Sequence, residues 1–252
     1  MQKKILYFTL GLLMGDGSLQ INHWKKKYLQ YRVIIKLKNI KSNIRMLQGL
    51  RDDFNLGTIN INNKDVLWAI NDKKQIKIFL NFFLTSKNDD LLSLSPRTKE
   101  KVNKMVYGIN KNMSYSEFIF LKEKPFSEWS LRNIIIKEKL PSFNEEWCWW
   151  LSGFIEAEGC FSIRKNGNQS FSIGQKIDYI MLEYIKDFFN LTNTISSKGN
   201  DFYVIETYSI KSCLKIISFF DTYELLGAKQ TSYNLWKSHI NNRVNYSLKC
   251  RV

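Results

Sequence analysis

Two acids stand at matching places in two segments of one plan. Asp16 is the eighth residue of Thr9-Leu10-Gly11-Leu12-Leu13-Met14-Gly15-Asp16-Gly17, and Glu158 is the eighth of Leu151-Ser152-Gly153-Phe154-Ile155-Glu156-Ala157-Glu158-Gly159. Both segments carry glycine third, a small residue seventh and glycine ninth. Carboxylate oxygens, the backbone carbonyls of Gly15 and Ala157 and water form a hard donor set of the kind Mg²⁺ takes. A cation held there can activate a water and stabilise the leaving oxygen of a phosphodiester. One such segment alone reads as an ordinary packed helix with a capped end. Two of them, each followed by an alternating strand, favour the chemical reading.

The spacing says how the acids are positioned. Gly11 and Gly15 lie four apart, as do Gly153 and Ala157. Small residues at i and i+4 share a helix face and let two helix backbones approach closely. Two such helices side by side bring Asp16 and Glu158 together at their C-terminal ends, where like charge and the helix dipoles both oppose the pair. A divalent cation reverses both penalties. Gly17 and Gly159 are expected to take positive φ and stop the helices.

The repeat extends beyond the acids. Leu84-Thr85-Ser86-Lys87 resembles Leu226-Gly227-Ala228-Lys229, and one offset of 142 residues relates Asp16 to Glu158 and Lys87 to Lys229. Each unit reads as helix, hairpin, helix, hairpin, helix. Apolar periodicity and turn residues predict helices over 5–15, 41–54 and 73–83, with strands over 17–23, 28–38, 57–62 and 65–71. In the second unit helices are predicted over 147–157, 178–189 and 211–220, and strands over 159–165, 169–176, 193–198 and 202–209. Asn62-Asn63 and Asn166-Gly167-Asn168 mark turns. A last helix is predicted over 229–241. The connector carries expected helices over 96–108 and 127–138, so the organisation is 1–95, a first repeat, 96–146, a connector, and 147–252, a second repeat.

Composition supports a polyanionic partner. The 252 residues carry a formal net charge of +15, and 26 of the 38 basic side chains precede residue 147. Each Lys or Arg at a phosphate releases condensed counterions. The four cysteines at 148, 160, 213 and 250 form no C-x-x-C pair, and His23 and His239 are the only histidines, which excludes a zinc site or a disulfide framework. Lys3 and Lys4 before the apolar run Ile5–Met14 imitate a secretory signal. That run ends in Gly15-Asp16-Gly17 and recurs in mid-chain, so it is read as a structural helix. No run is long enough to cross a membrane. Abundant Asn, Ile and Lys point to an AT-rich genome such as an organelle's.

The two acid-bearing segments, above all Gly153 to Ser162, resemble the motif of the LAGLIDADG homing endonucleases, in particular the two-motif monomers encoded in introns of fungal mitochondria. The first segment departs at Thr9, where Leu is usual, and at Met14, where an acid is common. The resemblance covers nearly the whole chain. It implies an α+β fold of two αββαββα units related by a pseudo-twofold axis. The motif helices would lie at the centre, and two four-stranded antiparallel sheets would form a saddle in the DNA major groove. It also implies double-strand cleavage of a long site with short 3′ overhangs, Asp16 and Glu158 being the catalytic metal-binding acids. The expected cofactor is Mg²⁺, with Mn²⁺ able to substitute and Ca²⁺ supporting binding without cleavage. Around the metal pocket, Lys229 and Gln175 match a lysine and a glutamine of the family, and Lys87 is the repeat partner of Lys229. The partner of Gln175 is Lys36 or Lys38.

Alternation then divides the strand faces. Leu19, Ile21, Tyr31, Val33, Ile35, Leu37, Phe161 and Ile163 are expected in the core. Ser18, Gln20, Asn22, Gln30, Arg32, Lys36, Lys38, Ser162 and Arg164 are expected to face the groove, with Asn60, Asn62, Ser196 and Lys198 from the second hairpins. Arg and Lys pair with guanine and Asn and Gln with adenine, while other contacts fall on phosphate. The run Trp24-Lys25-Lys26-Lys27 is expected in a hairpin loop against phosphate, a solvated loop being the bland alternative. Trp147, Trp149 and Trp150 are expected in the core or an interface. The faces of 202–209 are not assignable. The main rival reading is a maturase that binds group I intron RNA. A cleavage-dead DNA binder is a third, and it would have lost an acid or a pocket lysine.

Overall fold

The computed structural model describes residues 2–84, 89–125 and 142–249. The chain divides into two compact units, residues 1–6 with 16–142 and residues 7–15 with 143–252. The long first helix α1 (Lys3–Asp16) therefore starts in one unit and contributes residues 7–15 to the other.

In the first unit, β1 (Gly17–Trp24) follows α1 with no loop and pairs antiparallel with β2 (Tyr28–Lys38). Helix α2 (Lys41–Phe54) ends on Asn55 in the left-handed region, a place Asn tolerates. Next come β3 (Thr58–Ile61) and β4 (Asp65–Ile70), joined by a turn in which Asn62 Oδ1 accepts from the amides of Lys64 and Asp65. The sheet order is β1-β2-β4-β3. Helix α3 (Lys73–Asn81) starts where Asp72 accepts from the Gln75 amide. Phe54, Trp68, Phe79 and Phe83 interlock beneath the sheet, and Trp68 Nε1 donates to the Leu56 carbonyl at 2.8 Å.

The connector carries the short α4 (Asp89–Leu92), α5 (Pro96–Asn110) and α6 (Tyr115–Leu121). Helix α5 falls where a helix was expected over 96–108, with Ser95 as N-cap and proline next. Helix α6 was not expected. Its signal is Ser114-x-x-Glu117, a capping box in which both side chains meet the opposing backbone amide. The helix expected over 127–138 lies outside the described residues.

The second unit repeats the plan. Helix α7 (Glu145–Glu158) runs directly into β5 (Gly159–Ile163), which pairs with β6 (Gln169–Lys176). Then follow α8 (Tyr179–Phe189), β7 (Ser196–Ser197), β8 (Phe202–Thr207), α9 (Ile210–Phe220) and α10 (Lys229–Lys249). The sheet order β5-β6-β8-β7 matches the first sheet position for position. The α+β class with two four-stranded antiparallel sheets is as expected. β7 is far shorter than the strand expected over 193–198, because it pairs with β8 at two positions only.

Two expectations need correction. Gly159 has φ −70° and ψ 151°, and Gly17 is not among the positive-φ glycines. What position 159 requires is room, since a Cβ there would stand 2.5 Å from Ile155 Cγ2 and 2.8 Å from the Ile155 carbonyl. Ile163 is exposed where burial was expected. It lies opposite Gln169 and hence on the core-side face. There Gln169 takes the covered place, held by Arg243 of α10 and donating to the Tyr208 carbonyl at 2.6 Å.

Candidate active site and nucleic-acid interface

The glycines of the two motifs permit backbone contact between residues 7–15 and α7. A Cβ on Gly11 would stand 1.9 Å from the Trp150 carbonyl oxygen, and one on Gly153 1.9 Å from that of Phe8. Even alanine is too large at either place, so the helices pack closer than side chains allow. Around this contact Trp147 and Trp150 are fully buried, Trp150 stacks on Phe154, and Trp150 Nε1 points to Met14 Sδ at 3.2 Å. Trp149 lies half-buried against Tyr223. The expectation for these tryptophans therefore holds. Burial, with Glu146 nearby, pushes the Tyr7 hydroxyl up to about 12, so it is neutral at ordinary pH.

Tight packing continues to Gly15, Ala157 and Glu158. A Cβ on Gly15 would stand 2.3 Å from the Ala157 Cβ and 3.6 Å from Glu158 Oε1. Asp16 follows Gly15 as the exposed last residue of α1, and Glu158 is the half-buried last residue of α7. Each acid thus ends a helix that gives way at once to a strand. Among the described residues no group of three or more His, Cys, Asp or Glu side chains could hold a metal.

Lys229 opens α10, and its Nζ donates to the Ala157 carbonyl at 2.7 Å and to the Gly159 carbonyl, the two that flank Glu158. Glu156 lies 5% exposed, its Oε2 accepting from the Gly227 amide and its Oε1 from the Lys229 amide, both at 3.0 Å. Burial holds its carboxyl above the usual range against the opposing pull of those amides and of the Lys229 charge. Sequence reasoning passed Glu156 over, although an acid at the sixth motif position was on view. Gln175 is buried on β6 on the same face as Ile173, with its Oε1 3.2 Å from the Lys176 amide. Lys87 lies outside the described residues.

The residues expected to face a groove divide by exposure. Asn22, Gln30, Lys36, Lys38, Asn60, Asn62, Arg164 and Lys198 are exposed, while Ser18, Gln20, Arg32, Ser162 and Ser196 are half-buried. Several are held by neighbours. Gln20 donates to Ser18 at 2.9 Å, Arg32 to Asn71 at 3.0 Å, and Lys36 pairs with Asp65 at 2.9 Å. Gln30, Arg32, Asn71 and Lys73 line an open cleft of about 410 Å³. Arg164 donates to Glu206 at 2.8 Å and to the Tyr208 hydroxyl at 2.6 Å. Glu206 is therefore on the exposed face, while Ile205 and Thr207 are buried, which resolves the strand left unassigned. The hairpin tip presents exposed Trp24, Lys25, Lys26, Lys27 and Tyr28, with Lys25 and Lys26 at positive φ and His23 packed edge-on against Tyr115.

The sequence model described as LAGLIDADG endonuclease matches residues 9–95 and 151–240, one span per motif. A probable intron-encoded endonuclease of Dictyostelium citrinum is 33% identical over 245 residues, spanning 94% of this chain and 95% of that protein. One of Debaryomyces hansenii is 35% identical over 257 residues, and there the match takes up only 37% of the relative's length. Among solved structures, the LAGLIDADG homing endonuclease I-GzeII in complex with its DNA target superposes with a TM-score of 0.67 at 22% identity, over 96% of this chain and 91% of that one. I-SmaMI bound to cleaved DNA gives 0.67 at 20% identity. Identities this low speak to the fold alone. The two matched motif spans and the nearly end-to-end relative establish that this chain belongs to the LAGLIDADG endonuclease family.

Proposed function

We propose that this chain is an intron-encoded homing endonuclease that binds one long double-stranded DNA site and hydrolyses a phosphodiester in each strand. The observation that carries this reading is the glycine contact of residues 7–15 with α7, which sets Gly15, the residue before Asp16, against Ala157 and Glu158. In this reading residues 1–95 and 147–252 are two repeats joined by 96–146, and one chain acts as a monomer.

Asp16 and Glu158 would hold a divalent metal, Mg²⁺ by the hardness of the donors, with the Gly15 and Ala157 carbonyls as further oxygens. When bound, the metal supplies Lewis acidity to the phosphate and to a water. The chain's own residues do the rest. Lys229, fixed at the end of α7, offers positive charge to the phosphate as it gains negative charge. Gln175 and Lys87 enter as water-orienting and charge-neutralising groups on motif register alone. The exposed polar faces of the two sheets read the major groove, Arg164 as a guanine reader pre-set by Glu206 and Tyr208. Lys25 and its neighbours meet phosphate.

The relatives' intron-encoded description and the AT-biased composition support a mitochondrial setting. No described helix is long and apolar enough to cross a membrane. Group I intron RNA would be drawn to the same basic surface, and no particular contact favours it. The test is incubation with a plasmid library of organellar intron-insertion junctions in Mg²⁺, followed by sequencing of the ends. Breaks at one long site with short 3′ overhangs are expected. Breaks scattered without a shared site would overturn the reading.

A further inference from the structure

We propose that Glu156 is a positioning residue for cleavage: its two carboxylate oxygens hold the 227–229 backbone so that the Lys229 ammonium stays against the end of α7 beside Glu158. The inference deepens the proposed function and rests on its reading of Lys229 as the group that meets the phosphate.

A buried carboxylate is costly unless its oxygens are hydrogen-bonded. Here the oxygens accept from backbone amides, Oε2 from Gly227 and Oε1 from Lys229, both at 3.0 Å. The second partner is the first residue of α10, so the negative charge also lies at that helix's positive end. Ser152 Oγ ties the start of the same segment to α7 through the Glu224 carbonyl at 2.9 Å. The fixed backbone leaves the Lys229 side chain to reach the carbonyls of Ala157 and Gly159, on either side of Glu158. A buried residue thereby sets where a cation stands.

The first repeat is built differently. The place matching Glu156 at the offset of 142 holds Met14, whose sulfur meets the Trp150 indole at 3.2 Å. A thioether is a weak, uncharged acceptor and cannot hold two amides. The carboxylate anchor therefore belongs to one repeat, and loss of Glu156 should slow one strand's cleavage more than the other's.

Two measurements test this. Amide hydrogen exchange on the metal-free, DNA-free protein should show Gly227 and Lys229 protected. In Glu156→Gln they should exchange at least roughly tenfold faster, as expected when such a bond is lost, while Lys229→Met keeps them protected. Strand-resolved single-turnover cleavage of the selected target in Mg²⁺ should then be slowed by Glu156→Gln on one strand by roughly ten- to a hundredfold, the usual scale for a residue that orients a site group. Target affinity in Ca²⁺ should stay within about threefold, and adding Glu156→Gln to Lys229→Met should slow cleavage no further. Glu156→Met, the residue of the matching place, serves if the glutamine variant does not fold. Equal slowing of both strands, multiplicative effects in the double variant, or unprotected amides in the wild type would overturn the proposal. If Lys229→Met cleaves normally, the reading of Lys229 falls instead, and the exchange result alone decides whether Glu156 anchors the segment.

Discussion

At the residue scale the pairing of Arg164 with Glu206 and Tyr208 is the most informative contact on the exposed sheet faces. It fixes a guanidinium that would otherwise sample many rotamers, and Arg is the usual partner of guanine. Arg164→Ala should relax the preference at one base pair of the selected target by roughly ten- to a hundredfold, the range of a bidentate base contact. Competition binding against targets altered at single positions measures this, and a uniform loss across all targets would mark a phosphate contact instead. Glu206 also gives a pH signature. Partial burial raises its pKa, but hydrogen bonds from Tyr208, Arg164 and Ser170 outweigh that and hold the carboxyl below the usual range. Its stabilising contribution is then complete above the ordinary carboxylate value and fades as pH falls through the depressed one. Denaturant titrations at several pH values should find wild type and Glu206→Gln converging on acidification. A gap that widens would contradict the assigned direction. Sequence alternation found Arg164, but its partners lie 42 and 44 residues away, and nothing local in 202–209 shows which face is exposed.

At the element scale the glycine-lined contact dominates. Gly153→Ala inserts a methyl where the Phe8 carbonyl oxygen already stands, so residues 7–15 and α7 must separate. Overpacking of this kind costs about 1–3 kcal/mol and more where backbone must move. Gly49 in α2 is the contrast, since a Cβ there meets nothing within 4 Å. Gly49→Ala should stabilise by about 0.5–1 kcal/mol through helix propensity. Thermal melts of the two variants should move in opposite directions, and a neutral Gly153→Ala would remove the basis for the close approach. Most elements were legible because their signals are local. Period-two runs gave β1 and β2 nearly to the residue, and α2 matches its expected span. The glycines' purpose was legible at 11 and 153, where i, i+4 spacing implies close packing, and misread at 17 and 159. A glycine that ends a helix suggests positive φ, and only the packed Ile155 shows that space is the constraint at 159. Glu156 was missed for a related reason. Its partners, the amides of Gly227 and Lys229, carry no side-chain signal at all.

At the scale of the whole molecule the governing property is charge. A net +15 on 252 residues means that affinity for duplex DNA should fall steeply with salt. Six to ten phosphate contacts would give a loss of roughly 10³ to 10⁵ in affinity between 50 and 200 mM salt. Lys25→Ala should reduce the slope of log affinity against log salt by about one while leaving the ranking of targets unchanged, as a phosphate contact does. An unchanged slope would return the hairpin tip to a solvated loop. The fold class was readable because the chain states it twice. The accessory site groups were less so, since each depends on where the last helix and the loop before it come to rest.

The central claim is that Asp16 and Glu158 carry metal-dependent cleavage. The measurement that tests it most directly is cleavage of the selected target by wild type, Asp16→Asn and Glu158→Gln in Mg²⁺, with affinity measured in parallel in Ca²⁺. Each variant should bind within several-fold of wild type and cut neither strand, and chelation of the metal should stop the wild type. Double-strand cleavage by either variant at the wild-type rate, or by wild type with the metal removed, would contradict the account.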